Sequence, residues 1–173
     1  MGYNLSAIAN AQNAFAPAAP GLYYGYVKKG EVKTSSKGNE YINFQIQLKD
    51  MEGNKKSSVF FMFFTQEFAE YRNMKFLKAL GFELNGELEL EQIAKLSENK
   101  DILVQIKQEE DQNKNLRAVV DTNGDCVFAP VDQVDYWDAY INKGERGMKK
   151  PWEDEESQDF MNIPEGAGEA EDW

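Results

Sequence analysis

The chain has 173 residues, 42% of them hydrophobic and 13% aromatic, which is enough for one folded domain and too little for two. It contains no histidine and a single cysteine, Cys126; this excludes an intrachain disulfide and a Cys/His zinc site and removes the commonest general base, so a catalyst is the disfavoured class and no metal or cofactor is expected. The formal charge of −11 argues against a polyanionic partner only if it is spread evenly, and no apolar run approaches the roughly 18 residues of a membrane span, so a cytoplasmic protein is expected.

Residues 1–20 read as a flexible arm, because Ala16-Pro-Ala-Ala-Pro20 favours extended backbone and forbids a regular helix. A domain is expected over residues 21–150. Tyr23, Tyr24, Tyr26, Val27 and Val32 give the stretch 22–33 a strand composition, and Lys33 to Asn39 is rich in turn residues. From Tyr41 to Leu48 apolar and polar residues alternate, with Ile42, Phe44, Ile46 and Leu48 on one face. A turn over Asp50–Asn54 leads into a third strand, Ser57 to Phe64, apolar on both faces, which completes a meander.

The period then changes. Phe68, Tyr71, Leu77 and Leu80 predict a helix over 66–80 that Gly81 would stop, and Leu88 to Leu96 is compatible with a short second one. Ile102, Val104 and Ile106 begin a hairpin that returns through Leu116 to Val120 after the polar turn at Asp111–Asn115. Asn123-Gly124 marks a turn before a strand at 127–131, and Val134, Trp137, Tyr140 and Ile141 fall at helical spacing. The fold expected is mainly β (α+β), a five-stranded OB-like barrel with a helix between strands 3 and 4; a sandwich or a half-barrel with a packed helix would read much the same.

The final segment, 151–173, holds nine carboxylates and no Lys or Arg, so −9 of the charge is confined to a tail expected to be disordered, and a near-neutral body remains. Between Gly21 and Leu80 ten basic residues face six acidic ones. Cations that follow phosphates, and flat rings on which unpaired bases stack, are what single-stranded nucleic acid requires. The candidates are Tyr24, Tyr26, Lys28, Lys29, Lys33, Lys37, Tyr41, Lys49, Lys55 and Lys56, with Lys107 and Arg117 from the hairpin. In the third strand either Phe60 and Phe64 with Met62, or Phe61 with Phe63, is exposed; Phe61 and Phe63 are assigned to the ligand.

At the C-terminus Glu169, Glu171, Asp172 and Trp173 join carboxylates to an indole, a tip suited to a basic-rimmed apolar pocket on another protein. Asp121, Asn123 and Asp125 match the opening of a calcium loop, but Cys126 replaces its turn glycine and Asp132 its bidentate glutamate, so a plain turn is expected. Glu109, Glu110 and Asp111 are expected to be solvated charge rather than a magnesium site.

The stretch Val32-Lys-Thr-Ser-Ser-Lys-Gly-Asn-Glu-Tyr-Ile-Asn-Phe44 resembles phage-encoded proteins from replication and recombination gene clusters, and Lys75-Phe-Leu-Lys-Ala-Leu-Gly81 and the 102–120 hairpin fit their layout. The acidic tail with a terminal aromatic is similar to that of single-stranded-DNA-binding proteins of bacteria and phages, which more usually end on Phe than on Trp. The resemblance implies sequence-independent binding of single-stranded DNA in phage replication, recombination and repair, in the host cytoplasm. It also implies a tail that recruits a polymerase, helicase or recombinase and restrains DNA binding. The rival expectations are a β-domain interaction adaptor that binds no nucleic acid and, from another class, a magnesium-dependent nuclease.

Overall fold

The computed structural model describes residues 2–5 and 17–152. Three long strands open the domain, β1 (Gly21–Thr34), β2 (Glu40–Lys49) and β3 (Lys55–Phe64). The alternation in β2 is realised in full, because Ile42, Phe44, Ile46 and Leu48 are all completely buried. The turns between the strands follow from their chemistry. Gly38 takes φ of +86° in the first, and in the second the Asp50 carboxylate accepts from the backbone N–H groups of Glu52 at 3.0 Å and Asn54 at 2.8 Å.

A 3-10 turn at Glu67–Ala69 leads into α1 (Glu70–Ala79), and α2 (Leu90–Ser97) follows before β4 (Asp101–Glu110). The last turn of α1 closes as a Schellman motif: Phe82 N–H donates to the Leu77 carbonyl and Gly81 N–H to Lys78, with Gly81 at φ +91°. β5 (Leu116–Val120) and β6 (Phe128–Ala129) complete the sheet, and α3 (Val134–Trp137) continues as a π-helical turn, Asp138–Asn142. Only two residues of the strand expected at 127–131 are paired. Among the described residues, no helix is long and apolar enough to cross a membrane.

The sheet is antiparallel with order β3-β2-β1-β4-β5, and β6 pairs with β4 beside β5. It is not closed into the barrel that the element order suggested. β3 and β5 are the two ends of the hydrogen-bonded path, and a cleft of about 560 Å³ lies between them. Two features mark the open seam. β5 is only five residues long, and Pro17, which has no N–H to offer an edge, lines the cleft. Ala18, next to it, is buried, and its carbonyl accepts from Gln108 Nε2 at 3.0 Å.

The inner face of the sheet holds the main core. Phe76 of α1 is wedged among Phe44, Phe61 and Phe128 at ring separations of 4.7, 5.0 and 5.0 Å. The core is packed right up to the backbone of β1: a Cβ on Gly25 would meet Ile46 Cγ2 at 2.6 Å, and one on Gly30 would meet Phe44 Cε1 at 2.7 Å. A second cluster lies on the outer side, where Tyr136 and Trp137 cover Leu22 and Leu103. Trp152 closes that cluster, 5.0 Å from the Tyr136 ring and 6.1 Å from Trp137. The folded unit thus extends past both expected boundaries, to Ala18 at one end and Trp152 at the other.

Candidate nucleic-acid interface

Strand register decides which side chains share the outer face of β1, β2 and β3. Across the three strands the outward residues fall in five rows: Tyr24, Lys49 and Lys55; Tyr26, Gln47 and Ser58; Lys29, Gln45 and Phe60; Glu31, Asn43 and Met62; Lys33, Tyr41 and Phe64. A bulge between Val27 and Lys29, with Lys28 exposed as the extra residue, and a second register shift between β2 and β3 at Gln47–Lys49, which sets Lys55 opposite Lys49, keep these rows in phase. Seven sequence-predicted residues are therefore brought together: Tyr24, Tyr26, Lys29, Lys33, Tyr41, Lys49 and Lys55. Lys37 projects from the turn that joins β1 to β2, beside the last row.

Phe61 and Phe63 do not reach this face. Both turn inward, at 2% and 6% exposure, whereas Phe60 and Met62 of the opposite set stand at 56% and 46%. The cause is the β2–β3 register, which sets Phe61 opposite Phe44 and Phe63 opposite Ile42, both core residues. The outward rings of β3 are thus Phe60 and Phe64, and Phe64 lies 5.4 Å from Tyr41.

Three further candidates are committed elsewhere. Lys56 is half-buried and faces Asp50 at 3.9 Å in the β2–β3 turn, with its carbonyl accepting from Gln47 Nε2. Lys107 and Arg117 sit on β4 and β5, both paired with Glu109, at 3.3 and 3.8 Å. Arg117 also lines the cleft between β3 and β5, across from Phe60.

Glu31 is the one carboxylate in the five rows, held 2.7 Å from Lys29 and 4.0 Å from Lys33. Its hydrogen bond with Lys29, and then the charges of Lys29 and Lys33, hold its carboxyl below the usual range, and the bonded Lys29 is raised in turn. At the other end of the face a cleft of about 650 Å³ is lined by Tyr24, Tyr26, Lys49, Lys55 and Met51, with Asp101 and Glu52 at its rim. Tyr26 is oriented there by its hydroxyl, which donates to Asn99 Oδ1 at 2.7 Å.

Two side chains that sequence reasoning did not place on this surface adjoin its last row. Phe68, from the 3-10 turn, lies 5.7 Å from Phe64, and the Arg72 guanidinium stands 5.1 Å from the Phe68 ring centre. The Asp121–Asp125 stretch forms a turn: Asp125 Oδ2 accepts from Tyr140 O–H at 3.0 Å and faces Arg146 at 3.6 Å. Among the described residues, no group of three or more acidic or thiol side chains is disposed to hold a metal ion. Cys126 is fully buried, and burial pushes its thiol up to about 12 against the pull of Lys75. Glu169, Glu171, Asp172 and Trp173 lie outside the described residues.

The fold and the face together define a small antiparallel β domain that carries an outward, ring-bearing cationic surface. The chain belongs to a family described as protein of unknown function (DUF669), whose model matches residues 6–125 and so spans all five rows. No curated protein matches it.

Proposed function

We propose that the chain is a phage-type single-stranded-DNA-binding protein, with the strand order of an OB-fold left open between β3 and β5, that holds unpaired bases on the outer face of β1, β2 and β3. One observation carries this reading: the strand register collects five rings (Tyr24, Tyr26, Tyr41, Phe60, Phe64) and four lysines (Lys29, Lys33, Lys49, Lys55) on one side of the sheet, with a single carboxylate among them. Rings stack on any base at about 1–3 kcal/mol each, and lysines follow phosphates without reading sequence, so binding is indifferent to sequence. Duplex offers no unstacked bases to such a face. The chain catalyses nothing, acts in the host cytoplasm during replication and recombination, and recruits other proteins of those processes through Glu169, Glu171, Asp172 and Trp173.

The test is an anisotropy titration with a labelled oligo-dT and with a duplex of equal length over a range of salt. The expected result is preference for the single strand, with a log–log salt slope of about −0.7 per neutralised phosphate. Equal binding to both would reject the single-strand reading, and absent binding to both would reject it in favour of an adaptor that only contacts other proteins.

A further inference from the structure

Arg72 has an unusual seat for a cation. It lies on the first turn of α1, half-buried, with its guanidinium carbon 5.5 Å from the centre of the Phe64 ring and 5.1 Å from that of Phe68. Among the described residues no carboxylate lies within 4.0 Å of it, and its Nε is buried without a hydrogen-bond partner. The nearby Glu67 and Glu70 are exposed and point their charge to solvent. Burial holds the guanidinium below its ordinary pKa, which marks the cost of withdrawing a cation from water with no counter-charge supplied. Two flat rings offset part of that cost.

The seat is fixed from two sides. Asn73, the next residue of α1, donates from Nδ2 to the Phe64 carbonyl at 2.6 Å, which ties the end of β3 to the helix. Register places Phe64 beside Tyr41 and Tyr41 beside Lys33. Tyr41, Phe64 and Phe68 then follow one another at 5.4 and 5.7 Å. This end of the face is a run of three rings, with Lys33 of β1 beside Tyr41 and Arg72 of α1 seated against both Phe64 and Phe68.

We infer that Arg72, braced on Phe64 and Phe68, is a phosphodiester-binding site that carries a bound single strand off the edge of β3 onto the start of α1. The inference rests on the proposed function and extends it to a helix that the sheet alone would not include. A guanidinium suits the role because its planar fork can pair two phosphate oxygens while its face stays stacked on a ring. Phe68 supplies a stacking surface beyond the last strand.

The experiment compares salt-dependent binding of oligo-dT by the full chain and by R72Q, R72K, F68A and K49Q, each checked by thermal melting. R72Q should weaken binding several-fold and make the slope shallower by about 0.7, while R72K, which keeps the charge, should retain the slope. F68A should lose about tenfold in affinity at unchanged slope. A folded R72Q that binds like the parent overturns the inference and reduces Arg72 to internal cation–π packing. Should R72Q fail to melt cooperatively, F68A decides: weaker binding at unchanged slope supports the site, and unchanged binding overturns it. K49Q separates the two claims, because a shallower slope in K49Q alone rejects the Arg72 site and leaves the sheet face standing, whereas no salt-dependent binding by the parent rejects both.

Discussion

The outer surface of the sheet has two halves that are similarly rich in aromatic residues nearby and opposite in fate. Over the start of β1 and β4 the chain returns as α3 and buries Leu22 and Leu103 beneath Tyr136, Trp137 and Trp152. Over β2 and β3 Phe60 and Met62 are exposed at 56% and 46%. An outward apolar side chain becomes packing where a later segment folds back over it, and remains open to solvent where none does. Tyr24 sits at the border, packed against the covered cluster and lining the open cleft.

The sharpest way to break this comparison is to truncate one ring from each half. Trp137→Ala should cost about 3–5 kcal/mol in urea unfolding, as expected for a fully packed indole. Phe60→Ala should stay within about 0.5 kcal/mol of the parent in stability while losing about 1–3 kcal/mol of single-strand affinity. If Phe60→Ala is the more destabilising of the two, the halves have been misassigned.

The next test is where the tail is cut. Ending the chain after Lys150 removes Trp152 from the rings of Tyr136 and Trp137 and should lower stability by about 1–2 kcal/mol, read from the melting midpoint. Ending it after Trp152 should spare stability and, by removing the polyanionic segment, tighten binding to oligo-dT at low salt. Equal binding by the tailed and tailless chains would remove competition between tail and strand from the proposal.

Smaller effects refine the open half. Glu31→Gln releases Lys29 and Lys33 and should tighten single-strand binding about two- to threefold at low salt, an advantage that fades as salt rises. The smallest effect expected is on acid stability. Burial raises the Asp50 carboxyl, but hydrogen bonds from Asn54 and Glu52 and the charge of Lys56 outweigh it, so its folded pKa lies below the usual value. Its contribution is therefore complete above about pH 4 and lost as the pH falls through the folded pKa. Asp50→Asn should flatten that part of an acid unfolding curve followed by circular dichroism.

The three strands of the meander were legible because alternation and turn chemistry agree there: Ile42 to Leu48 fixes one face, and Asp50 and Gly38 fix the ends. The facing of β3 was harder to see, since both of its sets are aromatic. Ser57 and Ser58 put one polar residue in each set, so parity within the strand did not separate them, and the facing is decided by the β2–β3 register. At the seam Pro17 lies in the cleft beside β5 and Ala18 is held by Gln108 of β4, a placement that no local periodicity encodes. Phe68 and Arg72 were hidden for a related reason. Spacing placed Phe68 inside a helix over 66–80, but the helix begins only at Glu70, and the 3-10 turn before it leaves the ring outside.

The sealed state of Cys126 has a practical consequence. Maleimide dyes react with accessible thiolates, and a fully buried thiol whose pKa is pushed up to about 12 offers almost none at neutral pH. A cysteine placed at exposed Lys37 would therefore take the dye alone, without first stripping the natural one. The molecule comes ready for single-position fluorescence, and a fluorophore beside the β1–β2 turn would report arrival and departure of an oligonucleotide in real time.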